Sequence, residues 1–149
     1  MSQPIKVSLK NLRLLWGVFV LASLALVIVV YASLTTNQIF SFAYEQLFLG
    51  ISLILQVTSY LVKRSKFALN LKNISDRSNE SLVLLAYYQP FILGMTLSIV
   101  AVFLGYFTAR FSLVPSKILP FAVVAGLNML LMFPIRERII TEAVILGRD

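Results

Sequence analysis

Four long apolar stretches free of internal charge, at about 14–34, 44–62, 82–107 and 118–135, constrain this chain more than any other feature. A hydrocarbon core about 30 Å thick is crossed by roughly 20 helical residues. The sequence therefore predicts an all-α integral membrane bundle of four antiparallel transmembrane helices, forming one membrane domain over 1–149. Composition agrees, with 59% apolar residues, 13% charged residues and a mean hydropathy of +0.90. A soluble fold with these values would expose apolar surface on a scale that invites aggregation. The second stretch is short unless its helix starts near Tyr44 and carries Glu45 and Gln46 at the interface.

The placement of charge sets an expected direction. Lys6, Lys10 and Arg13 precede the first stretch, Lys63, Arg64, Lys66, Lys72 and Arg77 lie between the second and third, and Arg136, Arg138 and Arg148 follow the fourth. The opposite side carries only Arg110 and Lys117. By the positive-inside bias both termini and a basic loop over 63–81 are cytoplasmic. The net charge of +7 thus reads as topology signal and contact with anionic lipids rather than a nucleic-acid surface. Asn73-Ile74-Ser75 and Asn79-Glu80-Ser81 have the glycosylation pattern but fall in this loop, as chance matches. The first apolar run has no small-residue cleavage site and reads as a retained span, which suits a bacterial inner membrane.

The flanks show helical patterning. Ile5, Leu9 and Leu12 share a face opposite Lys6, Lys10 and Arg13, which predicts an interfacial helix over 4–13. Ile139, Ile140, Ala143 and Val144 predict a second over 134–147, with a straight continuation of the fourth span as the alternative.

Membrane helices pack through small residues that let backbones approach. Gly94, Ser98, Ala101 and Gly105 make one smooth face of the third span, and Ala122 and Gly126 make a shorter pair on the fourth. On the second span Glu45, Ser52, Gln56, Ser59 and Lys63 fall within about 40° of one direction at about 100° per residue. Polar groups facing lipid are costly, so this seam is expected to face protein or water. It serves either interhelical hydrogen bonds or an ion path. No Asp, Glu, Lys or Arg lies near the middle of any span, although ion carriers usually place one there.

In the third span Tyr87, Tyr88, Gln89 and Pro90 form a polar cluster at an expected kink. Pro90 has no N–H, so the carbonyl of Ala86 loses its helical partner, and Gln89 is the expected substitute. Gln56 and the amide of Asn128 are expected to act as interhelical hydrogen-bond partners. Shifting the chain by about 70 residues overlays its halves. At a shift of 72, Leu47 stands over Leu119 and Gln56 over Asn128.

The central hairpin, with AYYQPFILGMTLSIV as its second helix, resembles the proteolipid subunit c of rotary ATPases. That family joins two helices by a polar cytoplasmic loop and places a carboxylate six residues before a glycine. Aligning Gly94 with that glycine sets Tyr88 at the carboxylate position, and helix two has only Gly50 in place of the family's glycine-rich pattern. The resemblance therefore implies a relative without the ion site, since a tyrosine of pKa about 10 does not cycle protons as a carboxylate does. The four-helix small multidrug transporters need a glutamate in the first helix, and LWGVFVLASLALVIVVY has none.

Cysteine and histidine are absent, which removes disulfides, thiolate metal sites and any Cys or His nucleophile or base. Ser52, Ser59 and Ser98 have no base at membrane depth, so no enzyme is expected and no cofactor is implied. The expectation is a non-catalytic accessory or scaffold subunit of a larger inner-membrane complex, whose partners are other membrane subunits or further copies of itself. The alternative is a small transporter or proteolipid-like ion-translocating subunit using the Glu45 to Lys63 seam.

Overall fold

The computed structural model describes residues 7–34, 43–74 and 79–146. They form α1 (Leu9–Ser33), α2 (Glu45–Lys72), α3 (Glu80–Ser112), a 3-10 turn (Pro115–Ile118), α4 (Leu119–Leu131) and α5 (Arg136–Leu146). Three of these helices are long and apolar enough to cross a membrane. A fourth span is reached if the segment from Pro115 to Leu131 is joined with α5, from which it is bent by 77°.

The helix ends follow local chemistry. Ser8 caps α1 by accepting from the Asn11 N–H, and Asn79 caps α3 by accepting from Ser81 N–H at 3.1 Å. α3 stops where Leu113 takes a left-handed conformation (φ 57°) ahead of Pro115. α4 stops before Pro134, and each of its last four carbonyls finds a donor. Asn128 O accepts from Met132 N, Leu130 O from Phe133 N, Met129 O from Trp16 Nε1 at 2.8 Å and Leu131 O from Arg138 Nη1 at 2.6 Å. The turn away from α4 is thus fixed by an indole from α1 and a guanidinium from α5.

Two boundaries differ from those read in the sequence, and the C-terminal piece follows one of its two readings. Leu9 to Arg13 are the first turns of α1 and not part of a separate helix over 4–13, of which residues 4–6 lie outside the described ones. The basic segment 63–81 is largely helix, because α2 continues to Lys72 with Phe67 and Leu71 fully buried one turn apart. No proline or glycine interrupts it there. The C-terminal piece is a distinct helix, α5, and does not continue along the axis of α4.

α3 lies at the centre, buried along most of its length, while α1 buries only Leu12 and Val30. Two apolar clusters form around it. One, with Leu12, Phe67, Leu71, Tyr87, Phe91, Met132 and Ile139, gathers the ends of the helices nearest α5. The other, with Val30, Val102, Ala109, Ile118 and Ala125, gathers the opposite ends.

Candidate functional site

The buried face of α2 reads Ser52, Gln56, Ser59, Lys63, Phe67 and Leu71, while Leu53, Ile54, Val57 and Leu61 point outward. A helix of a soluble protein is patterned the other way round. The reversed pattern is what a lipid solvent selects, since polar groups there must be satisfied inside the protein.

Between the two apolar clusters these polar groups meet those of α3 and α4. Asn128 Nδ2 lies 2.6 Å from Gln56 Oε1, 2.8 Å from Ser59 Oγ and 2.9 Å from Ser98 Oγ. An amide nitrogen has two protons, so these three acceptors share two donors. Gln56 Nε2 donates to Ser98 O at 3.4 Å, and Ser98 Oγ donates to Gly94 O at 3.2 Å. That leaves the Ser59 hydroxyl to donate to Ser98 Oγ at 3.5 Å. The four side chains are at most 8% exposed, so water does not compete for these bonds. One turn before Gln56 on α2, Ser52 Oγ is buried with no hydrogen-bond partner among the described residues.

Ion pairs close both ends of this layer. Glu45 accepts from Lys117 Nζ through both oxygens, at 2.7 and 2.8 Å. At the other end Lys63 Nζ stands 3.6 Å from Glu142 Oε2 and lies over the rings of Tyr60 and Tyr87, 5.6 and 5.3 Å from their centroids. The pairs Glu45 with Lys117 and Gln56 with Asn128 are both 72 residues apart, the offset that overlays the two halves of the sequence. A constant offset means that α2 and the segment leading through α4 run parallel at matched depth.

The small residues divide into two groups. A Cβ at Gly105 would meet Phe121 Cβ at 2.6 Å, and one at Gly94 would meet Met132 Cε and Sδ at 3.2 Å, so both glycines sit where neighbouring helices touch. Ala101 is fully buried beside them. Gly126 has nothing within 4 Å of such a Cβ, and with Ala122 it lines an open groove of about 220 Å³ against Trp16 and Val27 of α1. The structure brings Gly94, Ser98, Ala101 and Gly105 into helix contacts, while Ala122 and Gly126, both partly buried, line the groove between α1 and α4.

Around Pro90 the outcome differs from the expectation. Tyr87 is buried edge-on to Phe67, with centroids 5.1 Å apart, and is stacked on Phe91. Tyr88 is partly buried against the same cluster, and Pro90 sits within a continuous α3. Gln89 is exposed and does not meet the carbonyl that Pro90 frees. Asn70 of α2 does so, donating from Nδ2 to Ala86 O at 2.9 Å. Sequence reasoning missed Asn70 because it lies in the segment read as a loop, as it missed Trp16 and Arg138 because their partners are backbone carbonyls.

Outside the spans, Arg136 holds Glu80 through two hydrogen bonds of 2.7 and 2.6 Å. The guanidinium keeps the Glu80 carboxyl below the usual carboxylate range and is itself held above its ordinary value. Among the described residues no three acidic side chains stand together as a metal site would require. No protein-family model, curated protein or solved structure matches the chain.

Proposed function

We infer that the chain is a four-span scaffold subunit of a membrane complex, with both termini and the basic segment 63–81 on the cytoplasmic side of a bacterial inner membrane. It has no catalytic role and acts by holding a fixed bundle against other membrane subunits or further copies of itself. The observation that carries this reading is the closed hydrogen-bonded layer of Gln56, Ser59, Ser98 and Asn128. Its donors and acceptors face one another, whereas a path for ions needs exchangeable groups open to water.

Dimensions support the placement in a bilayer. From Glu45 to Lys63, 18 residue steps along α2, the helix rises about 27 Å, close to the thickness of the hydrocarbon core, and both ends carry an ion pair. Pro115–Leu131 rises about 24 Å at roughly 1.5 Å per residue, enough for a short fourth span, after which α5 turns to lie along the inner surface. Arg64 and Lys66, exposed on the cytoplasmic extension of α2, are placed to meet anionic headgroups.

Purification from native membranes in mild detergent tests the reading. A stable stoichiometric membrane partner or a defined homo-oligomer is expected, and a chain that runs only as an isolated monomer overturns it. The competing ion-carrier reading would replace it if liposomes containing the protein show an ion flux that Gln56→Leu and Glu45→Gln abolish.

A further inference from the structure

Beside the buried Lys63, a cavity of about 600 Å³ opens between α2 and α5. Its charged lining is of both signs: Lys63, Arg64 and Arg138 on one hand, Glu137 and Glu142 on the other. Its apolar wall includes Leu131 and Ile145, both exposed on the outside of the bundle. Lys63 has three N–H donors, its side chain is 5% exposed, and its carboxylate partner stands at 3.6 Å, longer than an ordinary hydrogen bond. A buried ammonium in this setting gains from a further anionic oxygen.

We propose that this cavity binds the headgroup of an aminophospholipid, its phosphate against Lys63, Arg64 and Arg138, its ammonium against Glu137 and Glu142, and its acyl chains against Leu131 and Ile145. Three cations and two carboxylates in one cavity match a zwitterion better than a simple anion. The two carboxylates would repel a headgroup that offered only negative charge. The depth also fits, because Lys63 lies about 10 Å along α2 from the Gln56 layer, at the level where hydrocarbon gives way to headgroups. The inference rests on the membrane reading above but not on any protein partner.

The test uses the full chain, purified and stripped of lipid in detergent, and titrated with phosphatidylethanolamine, phosphatidylglycerol or water-soluble phosphoethanolamine. Native mass spectrometry counts bound lipid, and the titration gives affinities. Phosphatidylethanolamine is expected to bind at one equivalent and about tenfold more tightly than phosphatidylglycerol, the size of one charge-assisted contact. Arg64→Gln should weaken both lipids about tenfold, and Glu137→Gln should weaken only phosphatidylethanolamine, bringing the two affinities together. Both side chains are exposed, so helix content and elution volume should not change. Equal binding of the two lipids by the unsubstituted chain, or binding indifferent to both substitutions, overturns the proposal. Phosphoethanolamine binding as tightly as the lipid overturns it in favour of a soluble ligand. A chain that binds the lipid yet purifies alone would instead break the scaffold reading.

Discussion

The contact of α3 with α2 and α4 and the contact of α1 with α4 use similar residues to different ends. In the first, Ser98 bonds back to Gly94 O and also accepts from Asn128 across the interface. In the second, Ser23 bonds back to Phe19 O at 2.9 Å, and its contact across is the soft sulfur of Met129 at 3.7 Å. Gly105 is filled by Phe121, whereas Gly126 faces an open groove. α1 is held at one end by the Trp16 indole on Met129 O and by the edge-to-face ring contact of Trp16 with Phe133 at 4.9 Å. A serine or a glycine in a membrane helix therefore gives no interface by itself. The interface exists where the opposite helix supplies a donor or a ring at the same depth.

The contrast can be broken most directly at its centre. Asn128→Leu removes all three amide contacts and leaves Gln56 Oε1 without its donor, so unfolding in mixed micelles should show a loss of about 3 kcal/mol. The Gln56→Leu, Asn128→Leu double variant should lose less than the sum of the singles, and strict additivity would mean that the two amides are not coupled. Gly105→Ala follows, at about 2 kcal/mol, because the new methyl meets the Cβ of Phe121 rather than a flexible tip. An unchanged midpoint for that variant would remove the distinction between the two glycines.

Asn70→Ala should cost about 1 kcal/mol by orphaning Ala86 O. In a Pro90→Ala background the restored N–H reaches that carbonyl, so the same change should cost much less. An undiminished penalty there would sink the account of Asn70. On the α1 side, Gly126→Ala should stay within about 0.5 kcal/mol of the parent, since the methyl enters open space and alanine favours the helix. A large loss would show that the groove is narrower than its geometry.

The smallest effect lies outside both interfaces, at the exposed pair of Glu80 and Arg136. The folded-state pKa of Glu80 is depressed, so its contribution is present above the unfolded carboxylate value of about 4.3 and is lost as pH falls through the folded value. The acid limb of the unfolding midpoint should be shallower in Glu80→Gln, and identical limbs would discount the pair.

The helical class, three of the spans and the inward direction of Ser52, Gln56, Ser59 and Lys63 were legible in the sequence, because apolar length and a 100° angular repeat are local properties. The end of α2 was not legible. A run of bases reads as loop until Phe67 and Leu71 are seen packed beneath α3 and α5. Nor was the partner of the Ala86 carbonyl, since any nearby amide could satisfy it and only the packing of α2 on α3 selects Asn70 over Gln89. The bend between α4 and α5 was half-written in Pro134, which ends a helix but does not aim the next one. Trp16 and Arg138 aim it, by taking the carbonyls that the break exposes.

By itself, then, the sequence determined that the apolar stretches are helical and which side of α2 must be hidden, because lipid penalises each polar group wherever its neighbours lie. Only the tertiary structure decided which groups share a hydrogen bond and which glycines are filled. Those outcomes depend on the depth and rotation of a second helix, and no single segment encodes either.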